Sequence, residues 1–158
     1  MIMDEFIKRL DRNLRYEKDE VVEDTYYIYV SSTRKKLNCP HCGQLSERVH
    51  STYTRSFQDL PIQDKKVIIV IKNRKMFCDN PDCQNTTFAE SFSFLPPKGK
   101  KSKRLIEKII DMSLNVSSVT ASTLLKNGIV NVGKSTICNM LKKTKSKIYG
   151  KKTSQRFV

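Results

Sequence analysis

Two pairs of cysteines constrain the fold of this 158-residue chain more than any other feature. Cys39 and Cys42 are separated by two residues, Cys78 and Cys83 by four, and 35 residues lie between the pairs. Two close pairs that are far apart in sequence are typical of a structural zinc site, in which two turns present four thiolates to one tetrahedral ion. The intervening residues are then expected to form strands that lead from the first turn to the second.

The remaining cysteine and the histidines are expected to stay outside this site. Cys138 lies far from both pairs, and His50 is expected to be structural or exposed. His41 lies between two predicted ligands and is an alternative to one of them, although we favour a position facing solvent. Four thiolates leave no open coordination position, so the one predicted zinc ion is structural rather than catalytic. The N-terminus does not resemble an export signal, which favours reduced thiols over disulfides.

The net charge of +14 is unevenly distributed along the chain. Residues 1–33 contain 5 basic and 8 acidic side chains, whereas residues 97–158 contain 15 basic and 2 acidic ones. Such a cationic block predicts a polyanionic partner, nucleic acid first and an anionic membrane surface second. A solvated lysine-rich tail is the alternative, and the apolar residues at helical spacing in the block favour nucleic acid over it. The longest clean apolar run, Val67–Ile71, is far too short for a transmembrane helix.

Strands are predicted around the cysteines. We expect them at Tyr26–Ser32, Arg48–Phe57 and Lys65–Phe77, where aromatic and β-branched residues are frequent. A turn is expected at Asp59–Pro61. Residues 1–24 are charged and weakly amphipathic, and we expect a short helix within them.

Beyond Pro96–Lys101, which has the composition of a linker, the apolar pattern becomes helical. Helices are predicted over about Lys103–Val116, Ser118–Asn127 and Lys134–Lys145, with Gly128 at the C′ position of the second. Two short helices joined by a Gly-containing turn, the second of them basic, favour a helix-turn-helix, and the helix before them completes its core. A three-helix bundle with no role in DNA binding is the alternative.

The third of these helices is predicted to read DNA. Its early polar residues are expected to face the major groove, where Asn139 can pair with an adenine edge. Lysines in the same helix and in the linker are expected to contact phosphates. The predicted DNA-binding residues are Lys134, Ser135, Thr136, Asn139, Lys142, Lys143, Lys145, Lys98, Lys100, Lys101 and Lys103. A second, weaker patch is predicted on the strands at Tyr53, Arg55, Lys72 and Arg74, for which a solvated strand face is an equal alternative.

Residues 128–135, Gly-Ile-Val-Asn-Val-Gly-Lys-Ser, match the Walker A pattern in full. A phosphate-binding loop of this kind needs a hydrophobic strand before its first glycine, whereas the residues before Gly128 are predicted to be helical. The acids of the basic block, Glu107 and Asp111, both lie upstream, so none is available downstream to hold magnesium. We therefore predict that the chain binds no nucleotide and that Gly133 is the N-cap of the third helix.

Several short motifs together resemble those of a known family. They are Cys39-Pro40-His41-Cys42-Gly43, Arg48-Val49-His50, Asp59-Leu60-Pro61-Ile62, Cys78-Asp79-Asn80-Pro81-Asp82-Cys83 and Thr87-Phe88-Ala89-Glu90. The arrangement closely resembles the N-terminal zinc-binding domain of the ISL-three family of insertion-sequence transposases, over roughly residues 20–145. The resemblance implies a bacterial host, a helix-turn-helix directly after the zinc domain, and binding of both modules to the terminal inverted repeats of the element.

Members of that family continue into a catalytic domain in which three acidic residues bind divalent metal for strand transfer. This chain ends at Val158, so the resemblance carries no catalytic residue onto it, and we expect no enzymatic activity. A decayed fragment, a regulator encoded on a mobile element and a piece of a longer protein all agree with this pattern.

The sequence thus predicts an α+β protein, in which a small β-rich zinc ribbon precedes a three-helix helix-turn-helix domain. The predicted divisions are an acidic N-terminal segment with a helix and the first strand (1–33), the zinc ribbon (34–95), a basic linker (96–103), the helix-turn-helix (104–147) and a basic tail (148–158). The expected function is cytoplasmic, nucleoid-associated binding of double-stranded DNA at terminal-repeat-like or operator sites. The alternative is a protein-interaction module that regulates a full-length transposase or another partner, or that forms a homodimer.

Overall fold

A computed structural model describes residues 2–154, with the side chains of residues 2–147. The elements follow the order α1 (Ile2–Leu10), β1 (Leu14–Val22), β2 (Thr25–Ser32), β3 (Leu37–Asn38), β4 (Leu45–Ser46), β5 (Val49–Ile62), β6 (Lys65–Phe77), β7 (Thr87–Ala89), α2 (Lys103–Ser113), α3 (Ser118–Lys126) and α4 (Lys134–Ser154). The fold is therefore α+β, as predicted, with strands in the first part of the chain and helices in the second.

A five-stranded sheet forms the body of the first part. Its order is β1-β2-β6-β5, and the short β7 also pairs with β6. Neighbouring strands are antiparallel except for β2 and β6, which are parallel and place Ile28 beside Ile69 and Val30 beside Ile71. Because β2 pairs with β6, the residues before position 34 and the cysteine-bearing segment after it share one sheet.

One face of this sheet is covered by α1 and by the loop that follows β7. Ile7 of α1 and Phe94 of the loop pack on buried residues of the central strands. In β6, Val67, Ile69 and Ile71 are buried, while the residues between them are half-exposed. This alternation is expected for a sheet with one face covered and the other facing solvent.

Strand β1, at the edge of the sheet, is absent from the predicted elements. Leu14 is its one buried residue, and most of its other side chains are charged. Charges on an edge strand discourage pairing with another chain, but they also hide the apolar alternation that identifies a strand. Leu14 continues the helical spacing of Leu10 in the sequence, yet α1 ends at Leu10 and Leu14 begins β1.

The turn predicted at Asp59–Pro61 is wrong, because these residues lie within β5. The chain reverses instead at Gln63 and Asp64, whose φ angles are 49° and 61°. Positive φ at both central residues is the requirement of a type I′ turn, whose twist suits an antiparallel hairpin. Asn-Gly is the usual sequence for such a turn, so Gln63-Asp64 gave little signal for it.

Helices α2, α3 and α4 pack around a second core. Leu105 of α2, Leu125 of α3 and Ile137 of α4 are fully buried in it. The two shorter helices begin at serine N-caps, since the Ser102 and Ser117 hydroxyls each accept the N–H of the residue three positions later. None of the helices within residues 2–154 is both long and apolar enough to cross a membrane.

The helices differ from the predicted ones mainly in length. α2 ends at Ser113, before Val116, whereas α4 continues to Ser154 and so includes the first part of the predicted basic tail. Residues 155–158 of that tail lie outside the described range. Seven residues, 127–133, connect α3 to α4, more than the three or four of a typical helix-turn-helix.

The segment predicted as a linker, residues 96–103, is packed against β5. The Gln58 N–H donates to the Lys100 carbonyl, and the Ser102 N–H donates to the Gln58 carbonyl, both at 2.9 Å. Lys101, between them, forms a parallel bridge with Gln58. The helices are therefore docked on the sheet through this segment.

Candidate metal centre and nucleic-acid surface

Four cysteine sulfurs converge where the β3–β4 hairpin lies against the end of β6. The Sγ atoms of Cys39, Cys42, Cys78 and Cys83 all lie within 4.8 Å of one another, and those of Cys42 and Cys78 are 3.5 Å apart. Sulfurs that bind a tetrahedral zinc ion at about 2.3 Å are about 3.8 Å from each other. The observed spacing therefore suits one such ion.

The first turn of the site lies in the β3–β4 hairpin. Cys39 follows β3 directly, its N–H donates to the Gln44 carbonyl at 2.9 Å, and the Gly43 N–H donates to the Cys39 carbonyl at 2.8 Å. Gly43 has a φ of 77°, in the left-handed region that favours glycine. This tight loop brings the Cys39 and Cys42 sulfurs together.

The second turn begins where β6 ends. The Cys78 N–H donates to the Thr86 carbonyl at 2.8 Å, and the Cys83 N–H donates to the Asn80 carbonyl at 3.2 Å. The Asn80 side chain accepts the Asp82 N–H at 3.0 Å, which stabilises the loop as an Asx turn. The strongest predicted strand thus leads directly into the second cysteine pair.

The thiols of the cluster differ in acidity, because each responds to its own hydrogen bonds and to the neighbouring sulfurs. A backbone hydrogen bond from Gln44 is the main cause that lowers the pKa of the Cys42 thiol to about 6. At Cys78 a backbone hydrogen bond from Asn80 lowers the pKa, but burial and the neighbouring sulfurs outweigh it and raise the pKa to about 12. One thiolate therefore forms readily near neutral pH, and a second is resisted by its charge. A divalent cation removes that repulsion, and four thiolates are a preferred ligand set of zinc.

The histidines and the fifth cysteine lie outside the cluster. Among the described residues, the metal-binding group consists of the four cysteines. His41 is exposed, as favoured from the sequence, and His50 is exposed and packs edge-on against Phe77, with ring centroids 4.9 Å apart. Cys138 is half-buried on α4.

Packing on both sides supports the two cysteine turns. Leu37, Met76 and Phe88 are buried and form a small apolar cluster with the cysteines. On the outer side, the Arg48 guanidinium is paired with the Asp79 carboxylate of the second turn. Cys39 is buried, Cys78 and Cys83 are half-buried, and Cys42 is exposed, so this packing holds the two turns together near the protein surface.

Helix α4 presents a polar face to solvent. Ile137, Met140 and Leu141 turn toward the helical core. The opposite side of the helix is exposed and consists of Ser135, Asn139, Lys142 and Ser146. The residues predicted to bind DNA from this helix are all exposed: Lys134, Ser135, Thr136, Asn139, Lys142, Lys143 and Lys145. Their contact with DNA stays a prediction.

The predicted linker lysines lie beside α4. A groove runs between residues 96–103 and α2 on one side and α4 on the other. Lys103 lines the first side, and Lys143 and Lys147 line the second. Lys98, Lys100 and Lys103 are exposed, and Lys101 is half-buried. One lysine of each predicted phosphate-binding set, Lys103 and Lys143, therefore lines this groove, together with the acidic Glu107.

The Walker-like segment, residues 128–135, does not have the surroundings of a phosphate-binding loop. It follows α3 instead of a strand, and its last residues begin α4. The Gly133 carbonyl accepts the Ile137 N–H at 3.1 Å, which places Gly133 at the N-cap position. Gly128, with a φ of 139°, follows the C-cap residue Asn127. The helix boundaries thus account for both glycines, and the lack of nucleotide binding stays a prediction.

The second patch predicted on the strands does not form one cationic surface. Arg74 makes two hydrogen bonds to the carboxylate of buried Glu90, at 2.9 and 3.1 Å. Arg55 donates to two backbone carbonyls of residues 96–103. Both arginines are therefore engaged within the protein, and Tyr53 and Lys72 alone are exposed.

Two buried carboxylates that join distant segments were not predicted from the sequence. Glu90 pairs with Arg74, and Asp59 accepts hydrogen bonds from Ser102 Oγ at 2.6 Å and Arg104 Nε at 2.8 Å. Hydrogen bonding to Asp59 raises the pKa of the Arg104 guanidinium. An acid within an otherwise apolar run is the one signal for such a residue, since a buried carboxylate needs a partner.

Comparison with known proteins agrees with the geometry of the metal centre. Residues 36–83, which contain all four clustered cysteines, match the family described as the zinc-finger of transposase IS204/IS1001/IS1096/IS1165. The transposase for insertion sequence element IS1001 of Bordetella parapertussis is 35% identical over 66 residues, which are 40% of this chain. No solved structure matches the chain.

These matches confirm the resemblance to insertion-sequence transposases for the cysteine-bearing segment. The four cysteines form the metal centre of a zinc ribbon, and the ion it holds is a structural zinc. The match spans 16% of the length of the curated relative. The similarity to insertion-sequence transposases is therefore based on the zinc-ribbon segment.

Proposed function

We propose that this protein binds double-stranded DNA in a sequence-directed manner, with α4 as the recognition helix of a helix-turn-helix formed by α2, α3 and α4. The observation that carries the proposal is the exposed polar face of α4. That face lies in a region, residues 97–158, with 15 basic and 2 acidic side chains. A duplex offers phosphates to the lysines and base edges to the shorter polar side chains.

The residues of α4 divide into two proposed roles. Ser135 and Asn139 lie early in the helix and reach base edges, where the Asn139 amide pairs with adenine. Lys134 and Thr136 border the same surface. Lys142 and Lys143, further along the helix, contact phosphates and hold the helix in register on the duplex.

Packing of the long α3–α4 connection supports a helix-turn-helix of unusual length. Val130 and Val132 of the connection are buried in the core that the three helices share. The Ser122 hydroxyl of α3 donates to the Val132 carbonyl at 2.7 Å. The extra residues are thus folded into the core, and α4 is fixed against α3.

The zinc ribbon acts as a structural support in this proposal. Its ion cross-links the two cysteine turns and so fixes one end of the β5–β6 hairpin, while the helices dock near the other end. The protein binds its sites without catalysis, in the cytoplasm and on the nucleoid. Its targets are the terminal repeats of a mobile element or related operator sites.

Protein interaction is a second candidate function. Large apolar side chains at the α2–α3 corner are exposed: Leu114 by 62%, Val116 by 38% and Val119 by 56%. Exposed apolar groups that cluster in this way mark contact surfaces more often than isolated ones do. The partner in this case is a second copy of the chain or a full-length transposase. Light scattering of the DNA-free protein tests whether the chain associates with itself.

Selection of bound duplexes from a random library tests the proposed function. We expect an enriched sequence motif, and an affinity that falls with salt at a log–log slope of about −4 to −5, corresponding to roughly five phosphate contacts. Absence of duplex binding at low salt contradicts the proposal. Binding without an enriched motif reduces α4 to a sequence-independent contact.

A further inference from the structure

We infer that residues 96–103 are a preformed phosphate-binding element, held in place by Arg55, Gln58 and Asp59 of β5, which contacts the DNA backbone beside the site read by α4. The inference rests on the proposed function and adds a second contact surface to it. The three β5 residues are positioning residues, since they act through the segment that they hold.

Gln58 holds the segment through its backbone and the helices through its side chain. Its N–H and carbonyl bond to Lys100 and Ser102, both at 2.9 Å. Its side-chain Nε2 donates to the Ile129 carbonyl at 3.2 Å, in the connection that precedes α4. One residue of the sheet thus fixes both the lysine-bearing segment and the start of the proposed recognition helix.

Arg55 fixes the turn at the beginning of the segment. The Gly99 N–H donates to the Pro96 carbonyl at 2.9 Å, and Arg55 donates to the Gly99 carbonyl at 2.9 Å and to the Pro96 carbonyl at 3.4 Å. A Cβ on Gly99 lies 3.0 Å from the Pro96 carbonyl oxygen, so a side chain there requires the turn to shift. Lys98, between them, has a φ of 56°, which costs a residue other than glycine about 1 kcal/mol.

Asp59 fixes the end of the segment. Its fully buried carboxylate accepts the Ser102 hydroxyl at 2.6 Å, and Ser102 is also the N-cap of α2. The Arg104 guanidinium bonds to the same carboxylate. The last residue before α2 and the first turn of that helix are therefore attached to β5 at one point.

These contacts leave the lysines exposed on a backbone that is already ordered. Lys98, Lys100 and Lys103 face solvent, and Lys103 lies across a groove from Lys143 and Lys147 of α4. Glu107 lines the same groove, but the three lysines on its two sides outnumber it and suit a sugar–phosphate backbone that passes along it. Because the backbone is ordered in the folded protein, little further ordering opposes binding.

Two duplexes separate this contact from the reading of bases. Both contain the selected sequence: the short one is trimmed to the minimum that retains sequence discrimination, and the long one extends about one helical turn to each side. Asp59→Asn is expected to leave affinity for the short duplex unchanged and to lower affinity for the long duplex roughly five- to tenfold, as one or two phosphate contacts lose their fixed position. Hydroxyl-radical protection outside the minimal site is expected to disappear with it.

Asp64→Asn is the matched control, since Asp64 is exposed in the β5–β6 turn and asparagine tolerates its positive φ. Zinc content and circular dichroism verify folding of each variant. A double variant, Lys98→Gln with Lys100→Gln, removes the charges and leaves the β5 residues intact, so it tests the contact even if Asp59→Asn does not fold. It is expected to reproduce the selective loss on the long duplex.

The outcomes distinguish this inference from the function on which it rests. No loss on either duplex from the lysine variant overturns the phosphate contact, and an equal loss on both overturns its proposed place beside the minimal site; both outcomes leave DNA binding by α4 intact. Failure of the unmodified protein to bind either duplex overturns the proposed function and the inference together.

Discussion

Asp59 of β5 and Arg104 of α2 form the ion pair that joins the sheet to the helices. The Arg104 Nε lies 2.8 Å from one carboxylate oxygen of Asp59, and the guanidinium also bonds to the other. The Asp59 side chain is fully buried, whereas that of Arg104 is 34% exposed. Removal of Arg104 therefore leaves a buried charge, whereas removal of Asp59 leaves a charge that still reaches water.

Arg104→Met is expected to destabilise the protein more than Asp59→Asn. The first substitution leaves a buried carboxylate with Ser102 as its remaining side-chain donor and lowers the free energy of unfolding by about 3–4 kcal/mol. The second leaves a guanidinium that still reaches water, and the expected loss is about 1–2 kcal/mol. Urea denaturation measures both, with Asp64→Asn expected within about 0.5 kcal/mol of the unmodified protein. Equal losses of unfolding free energy in Arg104→Met and Asp59→Asn contradict this prediction.

Removal of zinc is expected to unfold the cysteine-bearing segment. Binding of a structural zinc ion contributes folding free energy on the order of 10 kcal/mol, and the apolar cluster of Leu37, Met76 and Phe88 offers little to replace it. Cys78→Ser is expected to abolish zinc binding, whereas Cys138→Ser is expected to retain one zinc per chain. Elemental analysis and amide exchange of the ribbon measure the two effects. Protein purified without chelators that contains no zinc contradicts the prediction.

Substitution of Lys98 is expected to separate stability from DNA binding. Lys98→Gly relieves the left-handed backbone and raises the free energy of unfolding by up to about 1 kcal/mol. It also removes a proposed phosphate contact, so duplex affinity falls and the salt slope becomes shallower by about one unit. Asparagine also tolerates positive φ and is less flexible than glycine. Lys98→Asn is therefore expected to have the same effects on stability and duplex affinity as Lys98→Gly. A stabilised variant with unchanged affinity and slope shows that Lys98 does not contact DNA.

The Walker-like segment is expected to bind no ATP or GTP. Its first glycine ends α3 and its second begins α4, so Lys134 belongs to a helix on the proposed DNA surface. Lys134→Ala is therefore expected to lower duplex affinity and to leave a calorimetric titration with nucleotide flat, as in the unmodified protein. Saturable micromolar nucleotide binding that the substitution abolishes reverses this interpretation.

Asn139→Ala and Lys142→Ala are expected to affect DNA binding in different ways. Loss of the amide removes about 1–3 kcal/mol of discrimination between the selected and a random duplex, with the salt slope unchanged. Loss of the lysine lowers affinity for both duplexes alike and makes the slope shallower by about one unit. Competition binding at several salt concentrations compares them. Identical behaviour of the two variants means that α4 does not lie in the groove.

The metal ligands and most elements could be predicted from the sequence because their signals are local. Two short cysteine spacings determined the ligand set, and β6 has the predicted bounds Lys65–Phe77 because apolar and β-branched residues dominate it. Periodic apolar residues likewise predicted α2, α3 and the start of α4. Each of these inferences depends on residues within a few positions of one another.

The tertiary structure alone decided how these pieces are joined. Strand β1 is recognisable only beside β2, because its charges suit an edge position. Asp59-Leu60-Pro61 has the composition of a turn, yet it belongs to a strand because Asp59 is buried against Ser102 and Arg104, 43 and 45 residues further along the chain. A local pattern contains no information about partners at that separation. The buried Asp59 carboxylate and the hydrogen bonds of Arg55 and Gln58 make the predicted linker an ordered part of the fold.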